Sequence, residues 1–153
     1  MAYAIQRFLI RAITASTCWM ASIALAQVPE IPDPNLPDIA QVRPDPIYGA
    51  VIVYNPNTCA QIGLACGFFR AHEYGHVVLG HAHLHPAAFP AIREASADCW
   101  AAQNGNPIEI FAAYRLFLAG GSSKNWQVYG NPIDRARRLR FCALQAGKWI
   151  GPP

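Results

Sequence analysis

"FRAHEYGHVVLGH", Phe69 to His81, decides how the rest of the chain is read. On an α-helix, residues four apart share a face, so His72 and His76 can aim two imidazoles at one ion. Glu73 stands at the edge of that face, where it can reach a water on the metal without being a ligand. This is the His-Glu-x-x-His arrangement, with glutamate as general base. The helical pattern runs from about Cys66 to Leu79, and Gly80 sits where a helix stops. The five-residue motif also arises by chance on buried or solvated helices, so its reading depends on what else the chain supplies.

A hydrolytic zinc site needs a third protein ligand and an open position for water. "REASADCW", Arg93 to Trp100, offers both a ligand and its support. Glu94 and Asp98 are again four apart, on a second predicted helix. Glu94 completes a His2Glu set, and Asp98 can accept a hydrogen bond from the ligand-histidine nitrogen that faces away from the metal. That contact fixes the ring's tautomer and orientation. His81 is the weaker candidate, because five residues place it about 140° round the helix from His76.

Here the sequence resembles a known group. "HEYGHVVLGH" followed by "EASAD" is similar to the gluzincin metallopeptidases, and more narrowly to small relatives of the prenyl-protein peptidases and the repressor-cleaving metallopeptidases. In those families a glutamate ligand on the next helix precedes "AD", an aromatic residue and alanine, and "ADCWAAQ" from Ala97 to Gln103 fits that tail. The resemblance covers about Phe69 to Gln103. It extends weakly to "YGNPIDRARRL", Tyr129 to Leu139, similar to a histidine-proline segment with a downstream arginine. Asn131 stands where that histidine would be.

The resemblance implies zinc held by His72, His76 and Glu94, with Glu73 as base, the same four residues that spacing selects. It implies a protein or peptide substrate and a zinc metalloendopeptidase activity. The departure at Asn131 favours an alternative, a catalytically weak or inactive zinc-binding envelope protein acting through a partner interface. The tetrahedral oxyanion of peptide hydrolysis needs a donor besides the metal. His83, Tyr129 and Asn131 are the candidates. His81, His83 and His85 alternate in a predicted loop and read first as polar loop residues, with a substrate-side donor or a second metal site as the other options. A metzincin would need histidine at position 82 and glycine at 79, where this chain has Ala82 and Leu79.

Outward from this centre, the expected fold is α+β and mainly helical: a minimal zincin-like core, with the motif helix crossed by a second ligand-bearing helix, and at least one strand. "IYGAVIVYN", Ile47 to Asn55, is β-branched and aromatic and reads as that strand. The second helix is predicted from Pro90 to before Gly105, a third from Asn106-Pro107 to Gly120-Gly121, and a fourth from Asn131-Pro132 to Gly147. Proline opens these three and glycine follows each helix. Residues 27–46 hold six prolines from Pro29 to Pro46 and cannot be helical. They are expected as an extended linker or an arm laid across a domain at 47–153.

Residues 1–26 read as a secretory signal peptide: Arg7 and Arg11, an apolar run from Ala12, then Ala24-Leu25-Ala26. That run is short for a membrane span, so none is expected after cleavage. Removing the two arginines leaves ten Lys+Arg against nine acidic residues, a net charge of +1. So weak a charge gives no reason to expect nucleic acid. "RARRLR", Arg135 to Arg140, reads as a solvated helix face, with an anionic partner as the alternative. Beyond Cys18 in the signal, four cysteines remain, an even count that suggests two disulfides in a secreted or periplasmic protein. Three pairings are open. Cys59–Cys66, closing a short loop, and Cys99–Cys142, tying two helices, are favoured.

Overall fold

A computed structural model describes residues 28–81, 84, 85, 88–122 and 125–152. The predicted signal segment with Cys18, and His83, lie outside the described residues. The fold is α+β and mainly helical, as expected. Three strands come first: β1 (Glu30–Pro32), β2 (Ala40–Asp45) and β3 (Gly49–Tyr54). Six helices follow among the described residues: α1 (Pro56–Ile62), α2 (Ala65–Val78), α3 (Pro90–Asn104), α4 (Pro107–Leu118), α5 (Trp126–Tyr129) and α6 (Pro132–Gln145).

The sheet order is β1-β3-β2. β1 runs parallel to β3, with Ile31 opposite Val53, and β2 runs antiparallel, with Val42 opposite Ile52. Both outer strands come from the proline-rich segment. Pro32 and Pro44 are tolerated there because edge strands have one unpaired side. Between those strands Leu36 folds under the sheet and packs with Val51 and Val53. Asn55 ties this segment to the helices. Its amide donates to the carbonyls of Pro34 and Leu36, while its oxygen accepts from the N–H groups of Asn57 and Thr58 and caps α1.

Asn55 ends the strand segment and also caps a helix that starts at Pro56, with proline in the first turn. The strand itself is shorter than Ile47–Asn55. Ile47 and Tyr48 form the hairpin turn, and both their N–H groups donate to the Asp45 carboxylate. The helix ends predicted from proline and glycine hold for α3, α4 and α6.

The core lies between α2, α3, α4 and α6. Phe68, Phe69 and Phe117 meet edge to face, with ring centroids 5.4 to 6.0 Å apart. Alanines 97, 101, 102, 113, 136 and 143 are buried around them and let the helices approach closely. Both favoured disulfides form. Cys59–Cys66 joins α1 to the first turn of α2, and Cys99–Cys142 joins α3 to α6, with Cα atoms 5.0 and 5.3 Å apart. Among the described residues no helix is long and apolar enough to cross a membrane.

Candidate metal centre

α2 buries His72 and His76 on the face it turns to α3. With Glu73 they offer ligand atoms within 4.8 Å of one another, a group that could hold a metal ion. Gly75 makes the crossing close. A Cβ built there would lie 3.2 Å from the Ala97 carbonyl oxygen and 3.3 Å from its Cα. Because α3 comes so near, Glu94 and Asp98, flanking Ala97, reach the histidines from opposite sides.

Glu94 is the carboxylate in contact with both rings. Its Oε2 lies 3.0 Å from His72 Nε2 and 3.5 Å from His76 Nε2, and the two Nε2 atoms are 3.0 Å apart. Ligands at zinc bond lengths in a tetrahedron stand about 3.3 Å apart, so the three atoms match one ion's coordination edge. Glu73, part of that same group, is also tied to the sheet, its Oε2 accepting the Val42 N–H at 2.7 Å. Sequence periodicity could not foresee this contact, since β2 is 31 residues away and reaches α2 only through the sheet.

Asp98 stands behind His72, fully buried, and accepts from its Nδ1 at 2.9 Å. The same carboxylate takes two bonds from Arg135, Nε at 3.0 Å and Nη2 at 2.6 Å, and one from Arg138 at 2.8 Å. The arginine cluster is therefore not a solvated face. Arg135 is 3% exposed, its guanidinium 4.4 Å over the Phe117 ring and donating to the Ser122 carbonyl. Arg137 alone of the series pairs on the outside, with Asp134. The sequence did carry a signal for this: Pro132, Ala136, Leu139 and Ala143 mark the core face of α6, and Arg135 lies at the edge of that stripe, about 40° from Leu139.

The pKa directions follow from this packing. Burial disfavours the Asp98 anion, but the Arg135 charge and the His72 bond outweigh it and hold the carboxyl well below the usual range. Glu94, also opposed by burial, is brought down to about 2 by its bonds to His72 and His76. Without a metal, His72 rises to about 10, because the Asp98 and Glu94 bonds overcome desolvation. Burial pushes Glu73 up, against the charges of His72 and His76 and the Val42 bond.

His81 is also part of the centre. It is buried, and its Nδ1 lies 3.0 Å from His76 Nδ1. It is therefore not simply a polar loop residue, although Gly80 ends the helix before it. Of the oxyanion candidates, Tyr129 lines the cleft beside the centre, and its phenol is pushed up by burial and by the carboxylates of Glu94, Asp38 and Glu73. Asn131 does not line that cleft. Its oxygen accepts the Asp134 N–H at 2.9 Å and caps α6. The cleft, about 610 Å³, runs between β2 and the helices, with His72, Glu73, His76 and Glu94 in its wall. Ile39, Ile62, Phe69 and Leu116 supply its apolar lining.

No family model matches the chain, and no curated protein and no solved structure is significantly similar to it.

Proposed function

We propose that the protein is an exported zinc-dependent peptidase. The observation that carries this reading is the convergence of His72 Nε2, His76 Nε2 and Glu94 Oε2 to within 3.5 Å of one another, beside a fourth group, Glu73, whose carboxylate lies within 4.8 Å of the histidine ligand atoms and accepts the Val42 N–H. Two neutral nitrogens and a carboxylate are a donor set suited to zinc. The metal, when bound, supplies a Lewis acid and a water of lowered pKa. The His-Glu-x-x-His and Glu-x-x-x-Asp resemblance to gluzincins and the two disulfides support the same reading.

The chain's own groups then divide the work. Glu73, its carboxyl pushed up by burial, takes the proton of the attacking water and passes it to the leaving amine. Tyr129, kept protonated, donates to the developing oxyanion from the cleft wall. Asp98 holds His72 in the tautomer with its Nε2 lone pair free. An extended substrate has a place to lie. Val42 turns its N–H away from β3 toward Glu73, so the outer edge of β2 also presents the backbone groups of Ala40. Adding a strand to such an edge is a common way to bind a peptide.

The test is zinc content of the exported protein together with hydrolysis of an unstructured peptide. Chelator-sensitive cleavage is expected, abolished in Glu73→Gln with zinc still bound. Chelator-sensitive cleavage that survives Glu73→Gln would refute the assignment of the base. Zinc bound without cleavage would favour the alternative, a metal-braced protein acting through a partner interface.

A further inference from the structure

We infer that His81 is the positioning residue for His76, accepting the His76 Nδ1–H on its own Nδ1 and so keeping the His76 Nε2 lone pair aimed at the metal position. The inference rests on the proposed metal centre and adds the support of its second histidine.

The geometry begins with Gly80. Its φ of +71° turns the chain back at the end of α2, and its N–H closes on the Val77 carbonyl at 3.0 Å. A residue with a side chain would be strained in that conformation. The turn brings His81 back alongside the helix, where it is buried against His76, ring centroids 5.1 Å apart. The nitrogens that meet are the two Nδ1 atoms, at 3.0 Å. At that distance one carries a proton and the other a lone pair.

The far side of His76 settles which. Its Nε2 faces His72 Nε2 at 3.0 Å and Glu94 Oε2 at 3.5 Å, the atoms that converge on the metal position. A ligand nitrogen there must be unprotonated. The proton of neutral His76 is therefore on Nδ1, which makes it the donor and His81 Nδ1 the acceptor. His81 then carries its own proton on Nε2. It is not a fourth ligand, because the nitrogen it presents faces the side of His76 away from the metal.

The two ligand histidines are thus held differently. His72 donates to Asp98, an anion whose charge Arg135 and Arg138 share. His76 donates to a neutral imidazole. A second buried carboxylate behind His76 would have needed its own cation, since a buried anion without one is costly. A histidine orients the ring without adding charge, and the five-residue spacing that takes His81 off the metal-facing side of the helix suits it to this task.

The test uses the full-length protein with His81→Leu, which cannot accept, and His81→Asn, whose amide oxygen can. Nitrogen-15 NMR of the histidine rings reports the His76 tautomer in the metal-free protein, at a pH where the ring is neutral. Zinc affinity comes from competition with a chelator, and circular dichroism checks the fold. The wild type is expected to hold His76 as the Nδ1–H tautomer. His81→Leu should lose that preference and about 10–100-fold in zinc affinity, the usual cost of removing such a support, and His81→Asn should recover most of both. An unchanged His76 tautomer in His81→Leu, or equal zinc loss in the Leu and Asn variants, overturns the inference while leaving the zinc site standing. The expected tautomer shifts in a protein that binds no zinc would do the reverse.

Discussion

Replacing Gly75 with alanine tests the closeness on which the whole centre depends. The added Cβ would sit 3.2 Å from the Ala97 carbonyl oxygen and 3.3 Å from both Ala97 Cα and Trp100 Cε3. Comfortable carbon contacts begin at about 3.5 Å. Two of the three neighbours are backbone, and α3 is held to α6 by Cys99–Cys142, so α3 has little freedom to rotate away. The helices must then part by about 0.3 Å. Overpacking of this kind costs ~1–3 kcal/mol. Alanine recovers ~1 kcal/mol over glycine in a helix interior. The net is ~0–2 kcal/mol of destabilisation, and at about 3–5 °C per kcal/mol for a domain of this size the melting temperature falls by up to about 10 °C. Metal binding has no compensating gain. Ala97 immediately precedes Asp98, and Gly75 immediately precedes His76, so the separation is delivered at the ligands. Zinc bond lengths tolerate about 0.2 Å, and the expected loss is tenfold or more in affinity. Thermal unfolding with and without zinc, plus a competition titration, measures both. Raised thermal stability together with unchanged zinc affinity would refute the argument that a glycine is needed at this crossing.

Asp98→Ala should destabilise by about 3–5 kcal/mol, because it leaves the buried Arg135 without its anion, and should weaken zinc about 10–100-fold; denaturant titration and chelator competition check the two losses. Glu94→Ala should remove most zinc affinity, more than His81→Ala, and the reverse order would reassign the third ligand. Opening Cys99–Cys142, which spans 43 residues, should cost about 4 kcal/mol, and Cys59–Cys66, which spans 7, only about 2; paired Cys→Ala variants in a denaturant series should rank that way. In the metal-free protein the depressed Glu94 and Asp98 contribute stability that is present above their ordinary values, 4.5 and 3.8, and is lost as pH falls, through about 2 for Glu94 and lower still for Asp98. The raised His72 contributes stability that is present below 6.5 and is lost as pH rises through about 10. Zinc must displace that His72 proton, so its affinity should climb with pH up to about 10, as titrations at several pH values would show.

Much of the centre was legible along the chain because its parts repeat at helical spacing. His72 with His76, and Glu94 with Asp98, are each one turn apart, and that periodicity is a local property of the backbone. Proline in the first turn and glycine after the last residue mark α3, α4 and α6 for equally local reasons, and the four cysteines beyond Cys18 limit the disulfides to three pairings. Other features depend on which segments meet. The proline-rich segment has no periodicity that names a partner, and only the packed sheet makes its residues β1 and β2 and brings the Val42 N–H to Glu73. Arg135 and Arg138 carry the same charge as Arg137, yet two pair with a buried Asp98 and one faces out, because α6 presents different faces to α3 and to solvent. Gly80 could be read as a helix stop, but not as the turn that lays His81 against His76. Periodicity determines which residues share a face; contacts between segments far apart in the chain depend on the three-dimensional packing, and those contacts supply the groups that hold the proposed ligands in place.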